Sequence, residues 1–114
     1  MNEMVKIAVI APESHADIVR KALGDAGAGR MGDYSHSSFS IKGVGRFIPL
    51  EGAEPAIGEV GKLQEVAEER IETICKKRDV AKVIAAVKEV HPYEEVAIDV
   101  FPLLADPQNI AFND

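Results

Sequence analysis

The stretch GVGRFIPLEGAEPAIGEVG, residues 43–61, carries five glycines and two prolines in 19 positions, and no helix tolerates that density. It therefore divides the chain, and the regular elements must be built on either side of it. A connection of this length exceeds the common span between elements, and such loops are functional or pack against the rest of the domain. The segment is expected to be a long structured loop or the distorted end of a hairpin.

On its N-terminal side, MVKIAVIA (4–11) is short, apolar and rich in β-branched residues. Val5, Ile7 and Val9 fall on one side and Met4, Ala8 and Ile10 on the other, a strand buried on both faces apart from Lys6. Pro12 and Glu13 then open a helix with Ile18, Val19, Ala22 and Leu23 at helical spacing, which decays at Gly24, Gly27 and Gly29. Residues 34–42, YSHSSFSIK, alternate loosely and predict a second strand with Phe39 and Ile41 on one face.

On the C-terminal side, KLQEVAEERIETICK (62–76) is ambiguous. Leu63, Val66, Ala67, Arg70, Ile71, Ile74 and Cys75 fall close to helical spacing, so local periodicity favours a helix; as a strand, Glu68, Arg70 and Glu72 would share one face. A clear helix follows in RDVAKVIAAVKEVHP, with Asp79 placed to cap it, Val80, Val83, Ile84 and Val87 as its apolar stripe, and Pro92 as its stop. Residues 95–104 alternate Val96, Ile98 and Val100 against Ala97, Asp99 and Phe101, a final strand. The order is β-α-β-α-α-β if the ambiguous stretch is helical. If it is a strand the order is β-α-β-β-α-β, the ferredoxin-like pattern of an antiparallel sheet with two helices on one face.

The chain has 114 residues, one domain's worth, with its core over about 4–104 and a polar tail at 105–114 that is expected to be loosely held. A net charge of −6 argues against nucleic-acid binding, which rests on clustered Lys and Arg. The glycine segment faintly echoes an RNA-binding strand motif but has Val44, Arg46 and Pro49 where stacking rings are needed. It lacks the Gly-Lys-Ser/Thr of a phosphate cradle, although Arg46 is available to an anion. No apolar run approaches a membrane span, and one cysteine, Cys75, suits a reducing compartment and most simply a core position. A cytoplasmic protein without a membrane partner is expected.

Four motifs occur in order: Gly-x-Gly-x-Phe-x-Pro (43–49), Gly-x-x-Pro-x-Ile-Gly (52–58), Glu-x-Arg-Ile-Glu (68–72) and His-Pro-Tyr-Glu-Glu (91–95). Each alone is weak. Together, over about residues 4–104, they resemble the domain inserted in the middle of Nif-three-like proteins, the NGG-one-interacting-factor family, also known as a type of GTP cyclohydrolase. The resemblance implies an α+β, ferredoxin-like β-α-β-β-α-β fold similar to CutA and PII signalling proteins, which form homotrimers, and it implies a strand over about 63–76. One departure is Ser37, where the family often has Cys, so a thiol role there is lost. Full-length members resemble dinuclear-metal hydrolases whose metal-binding residues flank the insert. Those flanking halves are absent from this sequence, and hydrolase or cyclohydrolase activity is not expected of it.

The cluster at His91, Tyr93, Glu94 and Glu95 has two readings. Structurally, a histidine suits a helix C-terminus, Pro92 turns the chain, and the glutamates stay solvated. Chemically, imidazole and carboxylate suit zinc or copper, and His91, Glu95 and His36 form a candidate ligand set, although no spacing holds two ligands on one face. Tyr34, His36, Gly43, Gly45, Arg46, Phe47, Pro49, Arg70, Glu72, His91, Tyr93, Glu94 and Glu95 are expected around a ligand or intersubunit cleft. The first and last strands are apolar on both faces while two helices cover only one, so self-assembly is expected. The leading expectation is a non-catalytic homotrimer that senses a small ligand or acts as a scaffold. A CutA-like divalent-cation binder is the alternative.

Overall fold

The computed structural model describes residues 3–106 and 111–112, with backbone alone at 106, 111 and 112. Met4–Pro12 forms β1, and a single 3-10 turn leads into α1, Ala16–Asp25. Phe39–Phe47 is β2, Gln64–Lys76 is β3, Val80–Val90 is α2 and Ile98–Pro102 is β4. The four strands make one antiparallel sheet in the order β2-β3-β1-β4, and the chain follows the β-α-β-β-α-β pattern.

Residues 62–76 are thus a strand, against their local periodicity. β3 lies between β1 and β2 and pairs with both, so its backbone groups are satisfied by partners distant in sequence. The second strand starts later than its composition suggests and runs on through Gly43 and Gly45, because β2 is an edge strand whose one ladder, to β3, spans Phe39–Phe47. The loop proper therefore begins at Ile48. Asp79 stands at the start of α2 but makes no side-chain cap; a 3-10 turn over Lys77–Asp79 enters the helix instead. Ala105–Asp106 (β5) and Ala111–Phe112 (β6) pair as a short antiparallel ribbon, and the rest of the tail lies outside the described residues.

Alternation along the strands sorts the side chains onto two faces. Val5, Ile7, Val9 and Ala11 of β1 and Ile71 and Cys75 of β3 face the helices, packing on Ala16, Val19, Leu23, Val83 and Val87. Ile18 of α1 turns away and is exposed. Thr73, on the same face, is satisfied by donating from Oγ1 to the Ser37 carbonyl at 2.7 Å. Among the described residues no helix covers the opposite face. Phe39 (65% exposed), Ile41 and Phe101 (43%) lie there beside an ion-pair chain, Lys6 to Glu72 at 3.4 Å and Arg70 to Glu72 at 2.9 Å.

Burial, reinforced by the charge of Asp79, pushes the Cys75 thiol up from 9.0 to about 11. A group raised in the fold contributes stability that is complete below its unfolded value and is lost as pH rises through its folded one. Stability is therefore expected to fall between about pH 9 and pH 11, and less steeply in Cys75→Ala. Urea midpoints across that range check this; parallel curves for the two proteins would remove Cys75 as the cause.

Candidate functional site

The site starts at the end of α2. Pro92 excludes helical geometry for the residue before it, and His91 is extended at φ −78°, ψ 133°. That turn drives the His91 ring into the protein, where it is 7% exposed. Its Nε2 donates to the Ile10 carbonyl at 2.7 Å, and its Nδ1 accepts the Tyr93 backbone N–H at 3.2 Å. Both ring nitrogens are thereby occupied, and the ring pins the corner between α2 and β4 to the middle of the sheet.

Tyr93 packs edge-on to His91, with ring centroids 5.0 Å apart, and to Phe47 of β2 at 6.1 Å. Its hydroxyl donates to Glu68 Oε2 at 2.7 Å. Burial, then the Glu68 hydrogen bond and charge, hold that hydroxyl far above the ordinary tyrosine range. Glu68 is 6% exposed although it sits on the open face, because Tyr93 covers it and its other oxygen occupies the space where Gly45 has no side chain. A Cβ at Gly45 would collide with that carboxylate, so this glycine is needed for close approach. One further bond joins corner to loop: the Glu54 N–H donates to Glu94 Oε1 at 2.9 Å.

Between the corner, the β2 edge and the 48–57 loop lies a groove of about 720 Å³ opening on the uncovered sheet face. Gly43, Gly45, Arg46, Phe47, Pro49, Arg70, Tyr93, Glu94 and Glu95 all border it, so two motifs about 45 residues apart in sequence meet at one place. His91 lies behind it. Glu72 sits further along the sheet, where Arg70 first and Lys6 second hold its carboxyl below the usual carboxylate range. Tyr34 and His36 are elsewhere: Tyr34 is exposed beside Met31, and His36 contacts Asp25 at the end of α1, Nε2 to Oδ1, at 2.9 Å. His36, His91 and Glu95 are thus not gathered within one chain, and among the described residues no group of three or more His, Cys, Asp or Glu is arranged to hold a metal ion.

Two contributions were missed by sequence reasoning. From the sequence Glu68 only shares a strand face with Arg70 and Glu72, because only the register that sets it opposite Gly43, next to Gly45, shows what it covers. Ile48, Leu50 and Ile57 were given no role from the sequence, yet they line the groove. The signal available for them was an apolar residue recurring within a run of turn formers.

The fold is ferredoxin-like, of the CutA and PII-like kind. The structure resembles the divalent cation tolerance protein CutA of Archaeoglobus fulgidus (TM-score 0.62, 19% identity, 94% of this chain and 91% of that one). It also resembles Bacillus subtilis GlnK (TM-score 0.54, 16% identity, 89% and 85%). Within that class the chain is a homologue of one segment of the NIF3-related proteins. It is 51% identical over 102 residues to the GTP cyclohydrolase 1 type 2 homolog of Bacillus subtilis (strain 168), covering 90% of this chain and 27% of that protein. It superimposes on a Bacillus cereus protein related to NIF3 with a TM-score of 0.78 at 53% identity, covering 90% of this chain and 26% of that one. The chain thus spans about a quarter of the relatives it matches. No family model matches it. Among the described residues no helix is long and apolar enough to cross a membrane.

Proposed function

We propose that this chain is a non-catalytic, ligand-sensing or scaffold domain that works as a homotrimer, with the groove beside Tyr93 as its ligand site. The observation that carries the reading is the uncovered sheet face. Phe39, Ile41 and Phe101 stand there in water beside both signs of charge, with Lys6 and Arg70 against Glu72. An antiparallel sheet tolerates one wet face when that face is polar; one carrying large apolar side chains favours a protein partner. Around a threefold axis each copy would turn this face toward two others, which offer apolar area and complementary charge. The groove opens at the edge of that face, so assembly would place the ligand near a subunit boundary.

The cyclohydrolase name belongs to relatives of which this chain spans 27%, and no reaction is carried over from it. Light scattering coupled to size-exclusion chromatography is expected to give about three times the 12.3 kDa chain mass at micromolar concentration. Phe101→Asp, which buries a charge in the proposed interface, is expected to shift the protein to monomer. A monomeric native protein would overturn the assembly. Calorimetric titration of chelator-treated protein with zinc and copper addresses the divalent-cation expectation; heat unchanged in His91→Ala would exclude His91 as a ligand.

A further inference from the structure

The groove's charges are unevenly partnered. Lys42, Arg46 and Arg70 reach its wall, and each is paired with a carboxylate outside it: Glu13 at 4.0 Å, Glu65 at 3.4 Å and Glu72 at 2.9 Å. The groove's own carboxylates, Glu68, Glu94 and Glu95, have no cation within 4.0 Å among the described residues. Glu68 is the most telling of the three. It is almost wholly buried, its only hydrogen-bond donor among the described residues is the neutral Tyr93 hydroxyl, and Ile10, Ile41 and Phe47 line the same wall. A carboxylate withdrawn from water without a counter-charge is costly, and apolar surroundings strengthen its attraction for any cation that enters.

We propose that the groove binds a small amphipathic amine, with its hydrocarbon body against Phe47, Ile48 and Ile57 and its ammonium group on the Glu68 carboxylate. Glu94 and Glu95 stand at the mouth and favour entry of a cation. A volume of about 720 Å³ matches the pockets that enclose small molecules. The proposal rests on reading the groove as a ligand site and adds the sign and shape of the ligand. An anionic ligand would meet three carboxylates without counter-ions.

The test is an amide-detected NMR titration of the full chain with three probes of matched length: hexylamine, hexanol and hexanoate. Hexylamine is expected to shift the amides of Gly45, Phe47 and Ile57 and to bind about tenfold or more tighter than hexanol, with hexanoate weakest. Glu68→Gln keeps the side-chain shape and an acceptor for Tyr93, and it is expected to reduce hexylamine to the level of hexanol. Should Glu68→Gln fail to fold, the double variant Glu94→Gln/Glu95→Gln is expected to weaken hexylamine about threefold without affecting hexanol, and an unchanged preference there would overturn the proposal. Hexylamine binding no tighter than hexanol overturns the amine and leaves the ligand groove standing. No groove shift with any probe overturns both. If Glu68→Gln dissociates the assembly but leaves hexylamine affinity intact, Glu68 pairs with a neighbouring copy and the proposal fails.

Discussion

Replacing His91 with alanine is expected to lower the unfolding free energy by roughly 2–4 kcal/mol, a large share of what a domain of this size has. The imidazole is buried and makes two bonds, one to the Ile10 carbonyl and one from the Tyr93 N–H. Truncation takes the donor from Ile10, strands the Tyr93 N–H and leaves a cavity beneath the Tyr93 ring. The damage should reach the groove as well, because Tyr93 reaches Glu68 only while the corner is held. Urea unfolding measures the first effect, and broadened amide signals at Tyr93 and Glu68 would report the second. A wild-type midpoint in His91→Ala would show that the corner is held by other contacts.

Gly29→Ala is expected to cost about 2–4 kcal/mol although it adds one methyl group in a connecting segment. Gly29 has φ +82°, and a Cβ there would lie 2.5 Å from both the backbone nitrogen and the carbonyl oxygen of Ser37. Backbone cannot swing aside as a side-chain tip can. The segment would have to move, taking with it the bonds Gly29 N–H to Ile74 O at 2.7 Å and Ser37 N–H to Gly29 O at 3.0 Å. Gly52→Ala is the control: its φ is +96° and no described residue comes within 4 Å of an added Cβ, so only the backbone preference of about 1 kcal/mol is lost. Equal losses in the two variants would show that the Ser37 contact carries no weight.

These predictions divide between what local patterning discloses and what it hides. That a helix ends at Pro92 and the chain turns there follows from proline stereochemistry. That the turn buries His91 against Ile10 does not, since the two are 81 positions apart. Gly29 reads only as the fading of α1, because nothing in its neighbourhood shows that Ser37 will lie against it. The meeting of the glycine segment and the His-Pro-Tyr-Glu-Glu corner was expected as a cleft, and the groove has both on its border. The chemistry of its wall was hidden because Glu68 becomes unusual only when Tyr93 and Gly45 stand over it.

By itself the amino-acid sequence determined β1, α1, α2 and the existence of β4, because their apolar periodicity and their stops are set within a few residues. It also determined that 43–61 could not be helical, and through its four ordered motifs it marked the chain's likeness to a known domain. Only the tertiary structure decided that β2 continues through Gly43 and Gly45, which side of β3 carries Glu68, and that His36 and Tyr34 stand apart from the groove. The physical reason is strand pairing. β3 is held by ladders to β1 and β2 whose partners are remote in sequence, and a one-residue change of register would move each of its side chains to the opposite face.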